Sequence, residues 1–250
     1  MPSHHPAILV PIYQPRLSPI EEFSLDVSVQ SLAGRRIDFI GPSDLALDYY
    51  RQRYPQLGFI GMAPQCFASI ADYNRLLLDP AFYERFAAQG HVLILQTDAV
   101  VLRDELDAWC ASPYDYLGAP WPEGNELFVN LDRFEGSLGK RMKVHVGNGG
   151  LSLRRIDRCA ALLREFPQAI QVFCQTGSSE DLFFAFMGAL SGGFVLPNEI
   201  VASHFALELR PSYYLAINGG RLPMAGHAWW KYEPAFWKAL LPPSPVLDTV

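Results

Sequence analysis

Short apolar runs alternate with amphipathic stretches through the first half of the chain, and this alternation predicts its elements. Ala7–Tyr13 (AILVPIY), Ile37–Ile40 (IDFI), Leu57–Met62 (LGFIGM), His91–Leu95 (HVLIL) and Tyr114–Leu117 (YDYL) are too short for helices and read as strands. HVLIL is the most apolar, which predicts a central position buried on both faces. Between the strands lie helices with start signals. Ser18-Pro19-Ile20-Glu21 offers a cap, a proline for the first helical position and the glutamate of a capping box. Ser43 caps a helix over Asp44–Tyr54. Ser69–Leu78 carries Ile70, Tyr73, Leu76 and Leu77 at helical spacing. Asp79-Pro80 restarts a helix to about Gln89, with Gly90 as terminator, and Asp104–Cys110 is helical. Strictly alternating strands and helices imply an α/β fold: a mostly parallel central sheet with helices on both faces.

The pattern then changes. Trp121–Met142 is rich in Gly, Asn and charge, and reads as a long loop or a short subdomain. Lys143–Gly147 re-enters the sheet. Asp157–Phe166 and Ser179–Leu190 are helices, the second capped by Ser178 or Ser179 with acids in its first turn. Phe194–Leu196 is a strand candidate, Ala206–Trp230 is mixed, and the PPSP tail is expected to be loose. With no internal repeat and no linker, residues 1–250 form a single domain.

Composition narrows the classes. Of the 250 residues, 50% are hydrophobic, enough for a sizeable core, and the net charge is −6. No basic block exists, which argues against nucleic acid as a partner. No apolar run approaches the ~20 residues of a bilayer span, and the first residues lack the pattern of a secretory signal. A cytoplasmic location is expected, with peripheral membrane association left open. Cys66, Cys110, Cys159 and Cys174 are widely spaced, form no CxxC pair and fit reduced thiols.

Four segments could carry chemistry, and each has a plainer reading. Gln96-Thr97-Asp98 follows the central strand, where ligands of open α/β sheets bind; Asp98 could hold a hard cation against a diphosphate, or simply end a turn. Gly147-Asn148-Gly149-Gly150 lets backbone approach a ligand, or makes a tight turn. It is neither a P-loop nor a dinucleotide fingerprint. Glu180-Asp181 starts a helix and could include a general base, or merely complement the helix dipole. His227, in Gly226-His227-Ala228-Trp229-Trp230, could ligate a metal or be packed, and the tryptophans could be core or a platform for sugar. For His4, His5, His91, His145 and His204 no spacing demands a metal.

Taken together, YNRLLLDPAFYERF, HVLILQTDAVVLRDELDAWC, YDYLGAPW, VGNGGLSLR, SSEDLFF, FALEL and GHAWW resemble a family of largely uncharacterised bacterial glycosyltransferase-like proteins of polysaccharide assembly, over roughly Ile8 to Leu240. Their order is similar to that of inverting GT-A glycosyltransferases such as the β1,4-galactosyltransferase and fringe-like groups. The resemblance implies a GT-A-like three-layer α/β/α sandwich, with a nucleotide-binding N-terminal part and an acceptor-binding C-terminal part. It implies Mn²⁺ or Mg²⁺ held by Asp98 and His227, and a nucleotide-sugar donor, a UDP-sugar, bound by Pro11, Ile12, Tyr13, Asn74, Arg75, Gln96, Thr97 and Asp98. A saccharide or lipid-linked saccharide acceptor would meet Trp121, Asn148, Gly149, Gly150 and Trp229. Asp181 would be the general base of an inverting transfer, and Glu180 would orient an acceptor hydroxyl or brace the loop. One departure stands out: the acidic metal motif of such enzymes has lost its first acid to Gln96. Two competing classes are a nucleotidyltransferase, which would show a basic Gly-rich loop that PIYQPRLSP is not, and a non-catalytic nucleotide- or sugar-binding protein with a degenerate site, which Gln96 makes credible.

Overall fold

A computed structural model describes residues 5–130 and 139–249. His4 and part of the Trp121–Met142 segment lie outside the described residues. The strands are β1 (Ala7–Pro11), β2 (Ile37–Pro42), β3 (Gly58–Met62), β4 (His91–Leu95), β5 (Ala99–Val101), β6 (Tyr116–Leu117), β7 (Pro120–Asn130), β8 (Gly139–Val146), β9 (Leu151–Arg155), β10 (Ala206–Leu207) and β11 (Ala225–His227). The helices are α1 (Pro19–Ser31), α2 (Asp48–Arg53), α3 (Ile70–Leu77), α4 (Pro80–Glu84), α5 (Leu106–Cys110), α6 (Ile156–Glu165), α7 (Pro167–Thr176), α8 (Glu180–Leu190), α9 (Glu199–Phe205), α10 (Pro211–Ile217) and α11 (Pro234–Lys238).

The main sheet runs β3-β2-β1-β4-β9-β6. Its first four strands are parallel, and β9 runs antiparallel to both β4 and β6. Side-chain alternation splits the core in two. Ile8, Val10, Phe39, Leu93 and Leu95 face α1, α2, α5 and α9. Leu9, Ile40, Val92 and Ile94 face α3, α4, α6, α7 and α8. This is the expected three-layer sandwich, and β4 is buried along its whole length, as its composition requires. The local signals act as expected at α1, where Ser18 and Glu21 form the full capping box, and at α3, capped by Ser69. At α2 the expected helix is shortened: residues 43–44 form a turn, Ser43 does not cap the helix, and the helix starts only at Asp48.

A second, small sheet, β10-β11-β5, lies beyond the carboxyl end of β4, and with α1 and α11 it encloses a third core around Val100, Leu207, Tyr214, Trp229 and Trp237. Three expectations are corrected here. The stretch opened by Trp121 is a β-ladder, not a loop: β7 and β8 form an antiparallel pair of their own, and β8, expected to re-enter the main sheet, does not. Phe194–Leu196 is not a strand, although Val195 exchanges backbone and side-chain hydrogen bonds with Asp115. The tail is not loose, since Pro245–Thr249 forms a turn of 3₁₀ helix and buries Leu247.

Candidate active site

The ladder of the small sheet builds the site. In β5 and β11, Ala99 lies opposite His227, and in β10 and β11, Leu207 lies opposite Gly226. Asp98, His227 and Glu208 therefore sit side by side at one edge, and the Ala228 amide donating to the Asp98 carbonyl locks the register at 2.9 Å. His227 Nε2 lies 3.0 Å from Asp98 Oδ1, and His227 Nδ1 lies 3.4 Å from Glu208 Oε1. Burial alone would lower the pKa of the imidazole, but contact with the two carboxylates outweighs it and raises it to about 9. Burial would raise the pKa of Asp98, but His227 and Lys231, whose Nζ is 3.5 Å from Asp98 Oδ2, bring it below the ordinary value.

The Gly147–Gly150 turn closes over this cluster. Asn148 adopts φ +77°, and its Oδ1 accepts from the amides of Gly150 and Leu151 while its Nδ2 donates to Glu208 at 2.6 Å and contacts His227 Nδ1 at 3.1 Å. Gly150 has no room for a side chain: a Cβ there would stand 2.2 Å from His227 Nε2 and 2.6 Å from Gln96 Oε1. Gln96 thus faces the same point as the imidazole, and its amide donates to the Gly150 carbonyl. Thr97 ties the segment to α1 through a 2.7 Å hydrogen bond to Glu21.

Asp181 supports the turn from the other side. Its Oδ2 accepts from the amides of Asn148 and Gly149 at 3.1 and 3.2 Å; its Oδ1 accepts from the Leu182 amide and the Ser179 hydroxyl. Those four donors fill the lone-pair sites of a carboxylate. Of its two expected positions, Glu180 takes the one that braces the loop. It is buried, its carboxylate lies 2.6 Å from Arg154 beneath Gly149, and it has no surface to offer an acceptor. Burial raises its pKa, and the Arg154 charge opposes the rise. Arg154 is itself wholly buried, bonded also to Tyr83 and Ser152, and lies over the rings of Tyr116 and Phe184.

The remaining expected residues divide. Pro11 ends β1, beside β4, Ile12 follows with its amide donating to the Ile40 carbonyl, and Tyr13 is 63% exposed at the same carboxyl edge. Trp121 is half-buried, with its ring edge against Gly147. Trp229 is not a sugar platform: it is 0% exposed and donates to Ser24 of α1 at 2.9 Å. Asn74 and Arg75 lie on α3, where Arg75 pairs with Asp72, and among the described residues no contact links them to the Asp98–His227 cluster. Sequence reasoning missed Glu208, Arg154 and Lys231. FALEL carried the first and LSLR the second, but neither residue type at either position announces itself before the ladder is known.

A divalent cation fits this site. Neither Asp98 Oδ1 nor His227 Nε2 has a well-directed hydrogen bond among the described residues, and both are buried. Asp98 and His227 would hold the cation through a carboxylate oxygen and an imidazole nitrogen, donors that Mg²⁺ or Mn²⁺ accepts. Glu208 stands on the far ring nitrogen, where the carboxylate partner of a metal-bound histidine belongs. Among the described residues no three His, Cys, Asp or Glu side chains converge on one metal position, so the protein would supply a minority of the ligands.

Comparison with known proteins agrees with this architecture. Mouse xyloside xylosyltransferase 1 superposes with a TM-score of 0.54 at 11% identity, over 89% of this chain and 96% of that one. The galactosyltransferase LgtC, solved with donor and acceptor sugar analogues, superposes at 0.55 with 16% identity over 96% and 97%. The fold is therefore that of the GT-A glycosyltransferases. No curated protein matches the sequence. A family described as "Protein of unknown function (DUF5672)" matches residues 56–227, a span that runs from before β3 to His227 and takes in Gln96, Asp98, Asn148, Gly150, Asp181, Glu208 and His227 but not Lys231, and the chain belongs to that family.

Proposed function

We propose that this protein transfers a sugar from a nucleotide-sugar donor, a UDP-sugar, to a saccharide acceptor, free or lipid-linked. The observation that carries the reading is the convergence of Asp98, His227 and Gln96 beyond the carboxyl end of the central parallel strand, on a fold shared with glycosyltransferases. Asp98 and His227 would hold Mn²⁺ or Mg²⁺, with the Gln96 carbonyl as a neutral third ligand in place of the missing acid, and waters and donor phosphates completing the shell. The cation supplies Lewis-acid neutralisation of the departing diphosphate. Lys231, 54% exposed beside Asp98, offers that diphosphate a second positive charge. Glu208 keeps the imidazole turned so that Nε2 faces Asp98. Tyr13 and the end of β1 would meet the nucleoside. Four free cysteines suit the reducing cytoplasm.

Asp181 remains the candidate base for an inverting transfer, under one condition. Three of its four donors are backbone amides, which cannot leave; the fourth, the Ser179 hydroxyl, can rotate away. Base function therefore belongs to Oδ1, once Ser179 releases it. As base, Asp181→Asn lowers kcat about 10²-fold or more with donor affinity unchanged, and Ser179→Ala preserves turnover. An equal loss of thermal stability and activity in Asp181→Asn would make the residue a turn anchor only.

The reading itself is tested by the melting temperature with UDP, with and without Mn²⁺, since a ligand of the native state raises it. The expected result is a Mn²⁺-dependent shift by UDP that Asp98→Asn and His227→Ala abolish. Binding without slow hydrolysis of any UDP-sugar would favour the degenerate binding protein, and failure with every nucleotide would refute the transferase.

A further inference from the structure

A cleft of about 620 Å³ opens beside the cluster, and its lining includes Trp121, Glu123, Arg210, Lys231, Tyr232 and Glu233. It adjoins the site and is no separate cavity. Lys231 reaches Asp98, the Trp121 ring edge rests on the residue before Asn148, and Arg210 lies two residues beyond Glu208. Its volume falls in the range of roughly 300–1,000 Å³ common to small-molecule sites.

Two features say what it takes. The first is strain. Among the described residues the non-glycine positions with left-handed backbone are Asn148, Arg210, Ala228 and Glu233. Asn148 and Ala228 belong to the cluster, while Arg210 (φ +50°) and Glu233 (φ +49°) line the cleft, each before the proline that starts a short helix. Glycine would adopt these turns without strain, so each position carries a charged side chain into the cleft at some backbone cost. The second is charge. Arg210 pairs with Glu123 at 3.6 Å and Lys231 with Asp98 at 3.5 Å, while Glu233 adds a further carboxylate. The lining carries two carboxylates and two cations: Arg210 is held by Glu123, and Lys231 is drawn toward Asp98 on the diphosphate side of the site, which leaves Glu233 and the rings of Trp121 and Tyr232 to a ligand. Apolar rings beside a carboxylate match the C–H faces and hydroxyl donors of an uncharged sugar, and a balanced lining gives an anionic group no excess of positive charge to bind.

We propose that this cleft seats the terminal residue of a neutral saccharide acceptor, with Trp121 and Tyr232 as its apolar contacts and Glu233 receiving its hydroxyls. That it is the acceptor rests on the transferase reading; that it binds a neutral sugar does not. The test captures the full-length protein on an array of defined neutral and anionic oligosaccharides, with UDP and Mn²⁺ present and absent. Neutral glycans are expected to bind, and Tyr232→Ala and Glu233→Gln, both at exposed positions, to weaken capture by about tenfold or more with an unchanged melting temperature. Trp121→Phe, which keeps the ring against Gly147, gives a milder loss. Preference for anionic glycans, capture untouched by these variants, or no capture at all while UDP still shifts the melting temperature would overturn the cleft assignment. Neutral-glycan capture lost in the variants, but without any nucleotide binding, would uphold it and overturn the transferase instead.

Discussion

Asn148 shows how closely backbone and side chain serve one purpose in this site. Its left-handed φ turns the chain, its carbonyl oxygen caps two amides of the turn, and its amide nitrogen holds Glu208 and His227 in register. Asn148→Ala would put a β-carbon into the left-handed region, at a cost of about 1–2 kcal/mol, and would leave buried partners unsatisfied at about 1 kcal/mol or more each. A total loss of about 3 kcal/mol or more is expected in chemical denaturation. Gly150→Ala should act differently. Its methyl collides with the His227 ring and the Gln96 carbonyl, so cation-dependent UDP binding should vanish in calorimetry with only a modest fall in stability. The glycine–asparagine turn was legible from sequence, and the resemblance placed Asp98 and His227 together, as the 3.0 Å contact between them shows. Glu208 was not legible, because its place depends on Leu207 lying opposite Gly226, a pairing between segments with no local signature.

Among the elements, α8 and β9 are joined by the Arg154–Glu180 pair, which carries the floor of the turn. Breaking such a pair strands a buried charge, whereas replacing both members does not. Arg154→Met alone is therefore expected to lose about 3–5 kcal/mol of unfolding free energy, and Arg154→Met with Glu180→Leu to recover much of it in the same denaturation assay. Sequence reasoning left Glu180 between the acceptor and the loop because the Glu-Asp pair was read as one unit at a helix start. The helix turns its first acid inward to Arg154 and its second toward the glycine turn, a division that only packing decides. The β7–β8 ladder was hidden for a different reason. Its register shifts between Pro120 and Asn125, with Gly124 at φ +66°, and such an irregularity destroys the alternation by which a strand is recognised. The elements of the parallel sheet, by contrast, were legible almost residue by residue, since short apolar runs and helix caps are local.

In the whole molecule two sheets meet at Gln96–Asp98. In the parallel sheet β1, β2 and β3 pair in chain order and β1 pairs with β4 about 85 residues on, whereas β5 and β11, which bring Asp98 and His227 together, lie about 120 residues apart in the chain. Closing so long a loop is slow, so the small sheet should form late. Trp229 and Trp237, wholly buried in its core, report on that step. In refolding, their fluorescence is expected to recover after the far-ultraviolet signal of the main sheet, and Trp229→Phe should remove much of the late amplitude; simultaneous recovery would refute this order. The late closure also bears on the cluster itself: until β11 docks on β5, His227 does not stand beside Asp98, so the Asp98–His227–Glu208 arrangement exists only once the most distant pairing of the fold has closed.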